Sequence, residues 1–378
     1  MKKAAIITIT DYVNYGNRLQ NYAAQEILKT YGLEVDSIAN FPVRIEEGGL
    51  LFTLNRIKNA LMLSPATMLQ KLDEKIYERK NKDKYQKAQK AKEKSFREYA
   101  AKHTTETSFT VRNNQLPDNL GELYDYFVIG SDQIWNPNIR WGNSFDFAQF
   151  APREKRIALA PSFGVSHIDE QYKERYSKWL SSIDYLSVRE NAGAKLIKEL
   201  SGKEVPVLID PTLMLTRDQW LAVAEPHAAK PKKAYLLTYF IGTVSRKRRK
   251  ILNEMAAKYN LEIVQMASLE DVERYSANPG EFVDYVNSAS IVCTDSFHAI
   301  IFSMLMRKPF VVFDREGKSK PMNSRIETLL GKFKFEDRMY SKLSVAGDFL
   351  TIDYSEFEIL LAAEQQKVND FLNPIFNS

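Results

Sequence analysis

Short apolar, β-branched runs alternate in this chain with stretches of helical period, and that alternation leaves few folds open. Ala4–Thr10 is the first such run and reads as a buried strand. Leu19–Tyr31 follows with apolar residues at 19, 22, 23, 27 and 28, the spacing of one helix face, and Gly32 stands where a C-cap belongs. Val35–Ala39 reads as a second strand. A strand–helix–strand opening predicts a parallel sheet with right-handed crossovers. Residues 50–103 break the pattern with polar, helix-prone text and read as an insertion. Strands are then expected at Tyr124–Ile129, Ile157–Ala160, Tyr185–Val188 and Val205–Ile209, with helices at Glu170–Leu180 and Asn191–Leu200.

A second series follows. It has strands at Ala234–Phe240, Leu261–Gln265, Ser290–Cys293 and Phe310–Phe313, and helices at Ser245–Tyr259, Glu281–Asn287, Phe297–Met306 and Ile326–Leu330. A last helix covers Glu356–Leu372. The fold class expected is α/β, with two doubly wound units in tandem. The first occupies 1–225 and carries the insertion at about 50–103. The second occupies 226–355, and the terminal helix of 356–378 packs back on the first unit. A chain of 378 residues, at about 100–200 per domain, suits two units. Ligands of such sheets sit beyond the carboxyl ends of the strands, so the cleft between the units is the expected site.

Composition narrows the function. Cys293 is the single cysteine, so neither an intrachain disulfide nor a cysteine zinc site is expected. The four histidines at 103, 167, 227 and 298 are scattered and make no His-rich metal centre. No stretch approaches 18 uncharged apolar residues, and the apolar run after Met1 is short and ended by Asp11. The expectation is a soluble, cytoplasmic protein. There is no G-x-G-x-x-G, no G-x-x-x-x-G-K-[ST] and no G-x-S-x-G, which argues against dinucleotide enzymes, P-loop NTPases and α/β-hydrolases. Lys71–His103 holds 12 Lys and Arg against 6 Asp and Glu, enough to account for the net charge of +5. It reads as a solvated helix or as a face for an anionic membrane surface. No aromatic-rich motif accompanies the charge, so nucleic acid is not an expected partner.

Four polar clusters stand directly after expected strands. In the first, Asn14, Asn17 and Gln20 offer the paired donors and acceptors that suit sugar hydroxyls, beside Tyr15 and a Gly16 that lets the backbone approach closely. The same residues fit a turn with an asparagine N-cap, and both readings stay open. In the second, Asp132, Gln133 and Trp135 suit a carbohydrate, with Asp132 as a general base towards a hydroxyl, or form a plain Asx-turn. In the third, Arg189 can clamp a carboxylate or phosphate, or pair with Glu190 or another surface acid. In the fourth, Ser296 or Asp295 can cap the helix that carries His298, whose first turn then faces an anion.

These clusters together resemble the polysaccharide pyruvyl transferase family over nearly the whole chain. The matching pieces, in order, begin with Asn14-Tyr15-Gly16-Asn17-Arg18-Leu19-Gln20 and Gly130-Ser131-Asp132-Gln133-Ile134-Trp135-Asn136. Pro161-Ser162-Phe163-Gly164, Val188-Arg189-Glu190 and Asp210-Pro211-Thr212 follow. The last are Asp295-Ser296-Phe297-His298, Arg307-Lys308-Pro309-Phe310 and Asn323-Ser324-Arg325-Ile326. The resemblance implies a GT-B-like fold of two Rossmann-like domains facing a cleft. It implies transfer of the pyruvyl group of phosphoenolpyruvate, a co-substrate rather than a bound cofactor, to a sugar of a cell-surface polysaccharide or its precursor. The product is a cyclic ketal and the leaving group is phosphate.

Carried over residue by residue, His298 and Arg189 fall on the positions that contact phosphoenolpyruvate, with Arg325 and Ser296 beside them. Many relatives have arginine where this chain has Ser296. His298 is then the candidate acid, Asp132 the candidate base, and Asn14, Tyr15, Asn17, Gln20, Gln133 and Trp135 the acceptor-side residues. No metal is required. Two other readings stand beside this one: a GT-B glycosyltransferase using a nucleotide-sugar, and a non-catalytic saccharide-binding protein.

Overall fold

The computed structural model describes residues 1–42, 82–112, 114–241, 244–266, 268, 271–316, 324–343 and 348–377. Two sheets organise them. The first contains β1 (Lys3–Ile7), β2 (Glu34–Phe41), β3 (Glu106–Arg112), β4 (Tyr126–Ile129), β5 (Arg156–Ala158) and β6 (Tyr185–Leu186). Its order is β3-β2-β1-β4-β5-β6 and each neighbouring pair is parallel. Its longer helices are α1 (Tyr15–Thr30), α2 (Lys82–His103), α3 (Glu170–Ser181) and α4 (Asn191–Ser201). Helices cover both faces, so Ala4–Ile7 is buried throughout and reads in the sequence as an unbroken apolar run.

The second sheet contains β7 (Tyr235–Tyr239), β8 (Glu262–Met266), β9 (Ile291–Thr294) and β10 (Phe310–Val312) in the order β10-β9-β7-β8, again all parallel. Its longer helices are α5 (Arg246–Lys258), α6 (Pro279–Ser288), α7 (Phe297–Leu305) and α8 (Ser324–Phe333). A final helix, α9 (Phe357–Phe376), runs back to the first unit. Gln365 Nε2 donates to the Leu213 carbonyl (2.7 Å) and Tyr31 Oη to Asn373 Oδ1 (3.0 Å). Two Rossmann-like units in tandem, with a last helix crossing back, make a GT-B-like architecture.

Two elements differ from expectation. Glu106–Arg112 forms β3, which pairs with β2, so α2 belongs to the crossover between those strands rather than interrupting the alternation. The part of the expected insertion before residue 82 lies outside the described residues. Val205–Ile209 forms no ladder. Only Val207 bridges Val188, because Pro206 has no amide hydrogen to give a neighbouring strand.

The units are joined by apolar packing. Helix α1 is buried along most of its length, and Tyr15 stacks on Phe282 of α6 at 4.6 Å and 12°. Trp220 meets Phe302 of α7 edge-on at 4.8 Å. From α2, the stripe Ala88, Lys92, Phe96, Tyr99 and Ala100 turns inward, and Ser95 Oγ donates to the Ser276 carbonyl of the second unit. The polar site therefore lies at the margin of a continuous core, not in a wide cleft.

Candidate active site

The order of the first sheet reverses between β1 and β4, and the loops after these two strands meet there. Asn17 joins them. Its Oδ1 accepts from the Asp11 amide (3.1 Å), and its Nδ2 donates to Asp132 Oδ2 (3.4 Å). Asp132 adopts φ +65°, a left-handed backbone that a non-glycine residue holds only where its surroundings fix it. Asp210 follows the Val205–Ile209 segment and caps a tight turn, where its Oδ1 accepts from the Thr212 amide (3.0 Å) and Thr212 Oγ1 (2.7 Å).

Arg189 binds these pieces together. Its Nη1 donates to Asp210 Oδ2 and to Ser131 Oγ (3.2 Å), and its Nη2 lies 3.6 Å from Asp132 Oδ1. Ser131 Oγ in turn donates to Asp210 Oδ2 (2.9 Å). The guanidinium sits 4.4 Å from the centre of the Phe297 ring, and Arg325 lies 5.8 Å from that ring. His298 Nε2 comes within 3.4 Å of Asp210 Oδ2 from the second unit. Arg189, Asp210 and His298 are 3%, 1% and 6% exposed, so the site is closed. Gly16 explains how closely the units meet: a Cβ there would fall 2.0 Å from His298 Nδ1.

The electrostatics follow from this crowding. Burial works to raise Asp210, but His298, Arg189 and the Thr212 amide outweigh it and hold the carboxyl far below its usual value. Burial likewise opposes ionisation of Asp132, yet Arg189, His298 and Arg325 keep it below the ordinary carboxylate range. Arg325 is pushed down to about 10 by burial and by the neighbouring Arg189 charge. Four buried nitrogens around this cluster have no hydrogen-bond acceptor among the described residues: Arg189 Nε and Nη2, Arg325 Nε and His298 Nε2. Buried donors are almost always satisfied, so an unfilled set on cationic or protonatable groups is one that a bound anion could satisfy.

Several expectations are corrected. Arg189 does not pair with Glu190, whose Oε1 instead accepts from Ser162 Oγ and the amides of Phe163 and Gly164. Trp135 is fully buried, stacks on Phe147 at 4.9 Å and donates to the Asp146 carbonyl, so it is core and not a sugar platform. Tyr15 is also fully buried and holds the two units together. Asn14 accepts from the Asn17 amide as the N-cap of α1. Gln20 is buried and donates to Thr8 Oγ1 (2.7 Å). Gln133 is partly exposed, accepts from Asn136 Nδ2 and packs against Gly164. Ser296 occupies the N-cap position of α7, but no side chain caps that helix, and Asp295 Oδ1 accepts from the Ile241 amide instead. Asp210 was not among the expected site residues. Its signal was the Asp-Pro-Thr turn after an apolar run.

Among the described residues, no group of three or more His, Cys, Asp and Glu side chains is arranged to hold a metal ion. The family model of polysaccharide pyruvyl transferases matches residues 14–317. The chain belongs to that family. No curated protein matches it significantly. Solved structures similar to this pyruvyl transferase family member share little sequence with it. A Listeria monocytogenes protein assigned as a UDP-N-acetylglucosamine 2-epimerase is 10% identical over 97% of this chain and 88% of its own, with a TM-score of 0.43. S. aureus MnaA with UDP is 10% identical over 99% and 97%, with a TM-score of 0.40. Anabaena HepE with UDP and glucose is 12% identical over 99% and 100%, with a TM-score of 0.41.

The family match spans Asp132, Arg189, Asp210 and His298 and stops short of Arg325. Exchange of Arg189 for lysine in this family member tests whether its fork is needed. An ammonium can serve Asp210 but cannot also face Asp132 and offer a free Nε–H. Arg189→Lys is expected to weaken binding of a small anion bearing a carboxylate and a phosphate by roughly 10–100-fold, the loss of about 1.5–3 kcal/mol for one charged hydrogen bond. Calorimetric titration measures it, and an unchanged affinity would reduce Arg189 to a structural ion pair.

Proposed function

We propose that this protein transfers the pyruvyl group of phosphoenolpyruvate to a saccharide diol as a ketal. The observation that carries the reading is the buried set of unpartnered nitrogens on Arg189, Arg325 and His298, in a member of the pyruvyl transferase family. Phosphoenolpyruvate is small, carries a carboxylate and a phosphate, and needs such donors at both ends. One acceptor oxygen adds at C2 while a proton is delivered to the methylene carbon. The second oxygen then takes C2 as the bond to phosphate breaks and its electron pair leaves with phosphate. Two hydroxyl protons are released overall; one ends on the new methyl group and one on phosphate. His298 delivers the proton to carbon, and Asp132 accepts one from a hydroxyl. The contact of Gly16 with His298 must open to admit the donor.

Thermal melting separates this reading from a nucleotide-sugar transferase, since a ligand that binds only the folded protein raises its stability. Phosphoenolpyruvate is expected to raise the melting temperature in the millimolar range, with UDP- and GDP-sugars having no effect. A response to a nucleotide-sugar alone favours glycosyl transfer.

The acceptor reading extends to lipid-linked saccharides at the inner face of the membrane. No helix among the described residues is long and apolar enough to cross a membrane. Peripheral contact is supported by Lys84, Lys87, Lys90 and Lys94, all exposed on α2, although Lys94 lies 3.7 Å from Glu98. The protein is expected to co-sediment with vesicles containing anionic lipid at low salt, and less so as salt rises. Replacing the four lysines with glutamine is expected to weaken sedimentation and spare activity on a soluble acceptor. Sedimentation indifferent to salt counts against membrane attraction.

A further inference from the structure

Beside its unfilled donors the closed site holds an unfilled acceptor. Glu190 is wholly buried, and its two carboxylate oxygens have different surroundings. Oε1 is saturated: Ser162 Oγ (3.0 Å) and the amides of Phe163 (2.9 Å) and Gly164 (3.2 Å) all donate to it. Oε2 has no donor among the described residues. The residue stands at the N-cap position of α4, yet its side chain does not cap that helix. A buried carboxylate oxygen left without a donor costs stability, so its retention asks for a donor from outside the chain.

Contacts on both sides set its place. In the first unit, the loop that Oε1 grips is tied to the loop after β4, because the Ser162 amide donates to the Asp132 carbonyl (2.8 Å). The Arg189 amide donates to the Pro161 carbonyl of the same loop (3.1 Å). Towards the second unit, the Asn191 amide, next to Glu190, donates to Thr328 Oγ1 of α8 (3.3 Å). Arg325 lies three residues before Thr328, on the same face of α8. Glu190 therefore stands where α4 meets the helix that carries Arg325, one residue along from Arg189. Its charge is felt there: burial and the Arg189 charge lower Arg325, while Asp132 and Glu190 pull against them.

The unfilled groups are thus of two kinds. The nitrogens of Arg189 and Arg325 can only donate, and a carboxylate oxygen can only accept. A carboxylate or phosphate answers the first kind and is repelled by the second. No side chain among the described residues reaches Oε2, so neither guanidinium neutralises it directly. A hydroxyl answers both kinds, since it donates to a carboxylate and accepts from a guanidinium. Resting on the pyruvyl transfer reading above, we propose that Glu190 is a saccharide-binding residue of the site, its Oε2 accepting the hydrogen bond of an acceptor hydroxyl beside the cations that hold the donor anion. One carboxylate then serves both sides of the reaction. Oε1 braces the loop behind Asp132, and Oε2 orients the saccharide. This is the acceptor-side role that Trp135 and Tyr15, committed to packing, do not fill.

The test uses the full chain with phosphoenolpyruvate and a panel of p-nitrophenyl hexosides whose O4 and O6 are free, scored by ketal formation, with monodeoxy forms of each hexoside as competing ligands. Glu190→Gln keeps the shape and the oxygen that Ser162, Phe163 and Gly164 engage, and it puts an amide nitrogen, which cannot accept, in place of Oε2. The hexoside KM is expected to rise roughly 10-fold or more, the usual loss for a hydrogen bond to a charged group. Phosphoenolpyruvate affinity is expected to hold or tighten, because a buried negative charge near Arg325 is gone, and the melting temperature is expected to stay within a few degrees. A brace with no ligand would lower acceptor binding, donor binding and melting temperature together. That outcome, or an unchanged hexoside KM, overturns the proposal. The monodeoxy forms test the parent by itself: one of them is expected to bind roughly 10-fold more weakly than the full hexoside, and to lose nothing further in Glu190→Gln. Equal binding of every monodeoxy form to the parent overturns the proposal too. No ketal from the parent with any hexoside overturns the underlying transfer reading instead, so the two failures are distinct.

Discussion

Replacing His298 with alanine is expected to lower pyruvyl transfer by about 10²–10⁴-fold, the usual cost of removing a general acid. His298 reaches the site from α7 of the second unit, and its Nε2 lies 3.4 Å from Asp210 without forming a hydrogen bond. That leaves the nitrogen available to a donor molecule. Alanine also opens space beside Gly16, so a shape-conserving control is needed. His298→Asn fills much of the gap and keeps a polar atom near Asp210, yet it cannot shuttle a proton. Both variants are expected to fold, bind the acceptor and lose turnover to a similar extent. Near-normal turnover in His298→Asn would make the residue a structural contact between units and remove proton delivery from its role.

The second large effect is on stability. Asp210→Asn removes the carboxylate that Arg189, Ser131 and Thr212 all engage and leaves a buried guanidinium facing a neutral amide. Breaking a buried pair from one side costs about 3–5 kcal/mol. The pH dependence follows from the depressed value of Asp210 in the folded protein. A carboxyl lowered on folding stabilises fully above its unfolded value, about 3.9, and the gain is lost as pH falls towards the folded value. The gap between parent and Asp210→Asn should therefore be constant near neutrality and narrow as pH drops below about 4. Asp132 is shifted in the same direction, but it remains in both proteins and largely cancels. Chemical denaturation across that pH range measures the gap. A gap that is small at pH 7, or that widens in acid, contradicts the arrangement.

The two parallel sheets were legible because apolar runs of strand length alternate with helical periods, and burial on both faces makes that contrast strong. Asp132 and His298 were singled out by their places after strands, and Arg189 by such a place together with the family resemblance. Asp210 was not, because its partners at positions 131, 189 and 298 are brought to it only by the assembled fold. Trp135 and Tyr15 were misjudged for the opposite reason. A polar aromatic after a strand can turn to solvent or to the core, and the direction depends on packing against Phe147 and Phe282, which lie far from the motif or in the other unit. Strand β3 hid because only Val111 of its seven residues is fully sheltered, so it carries little apolar pattern. The closeness of the units at Gly16 had no local signal beyond the glycine itself.

Incubation of the protein with phosphoenolpyruvate and a panel of cell-envelope oligosaccharides, followed by mass spectrometry, tests the central claim that both units together form one pyruvyl-transfer site. The expected result is an oligosaccharide heavier by one condensed pyruvate, with an equal amount of phosphate released, and neither product from Arg189→Lys and His298→Ala at parent levels. Glycosylated product from a nucleotide-sugar, with phosphoenolpyruvate left intact, would contradict it.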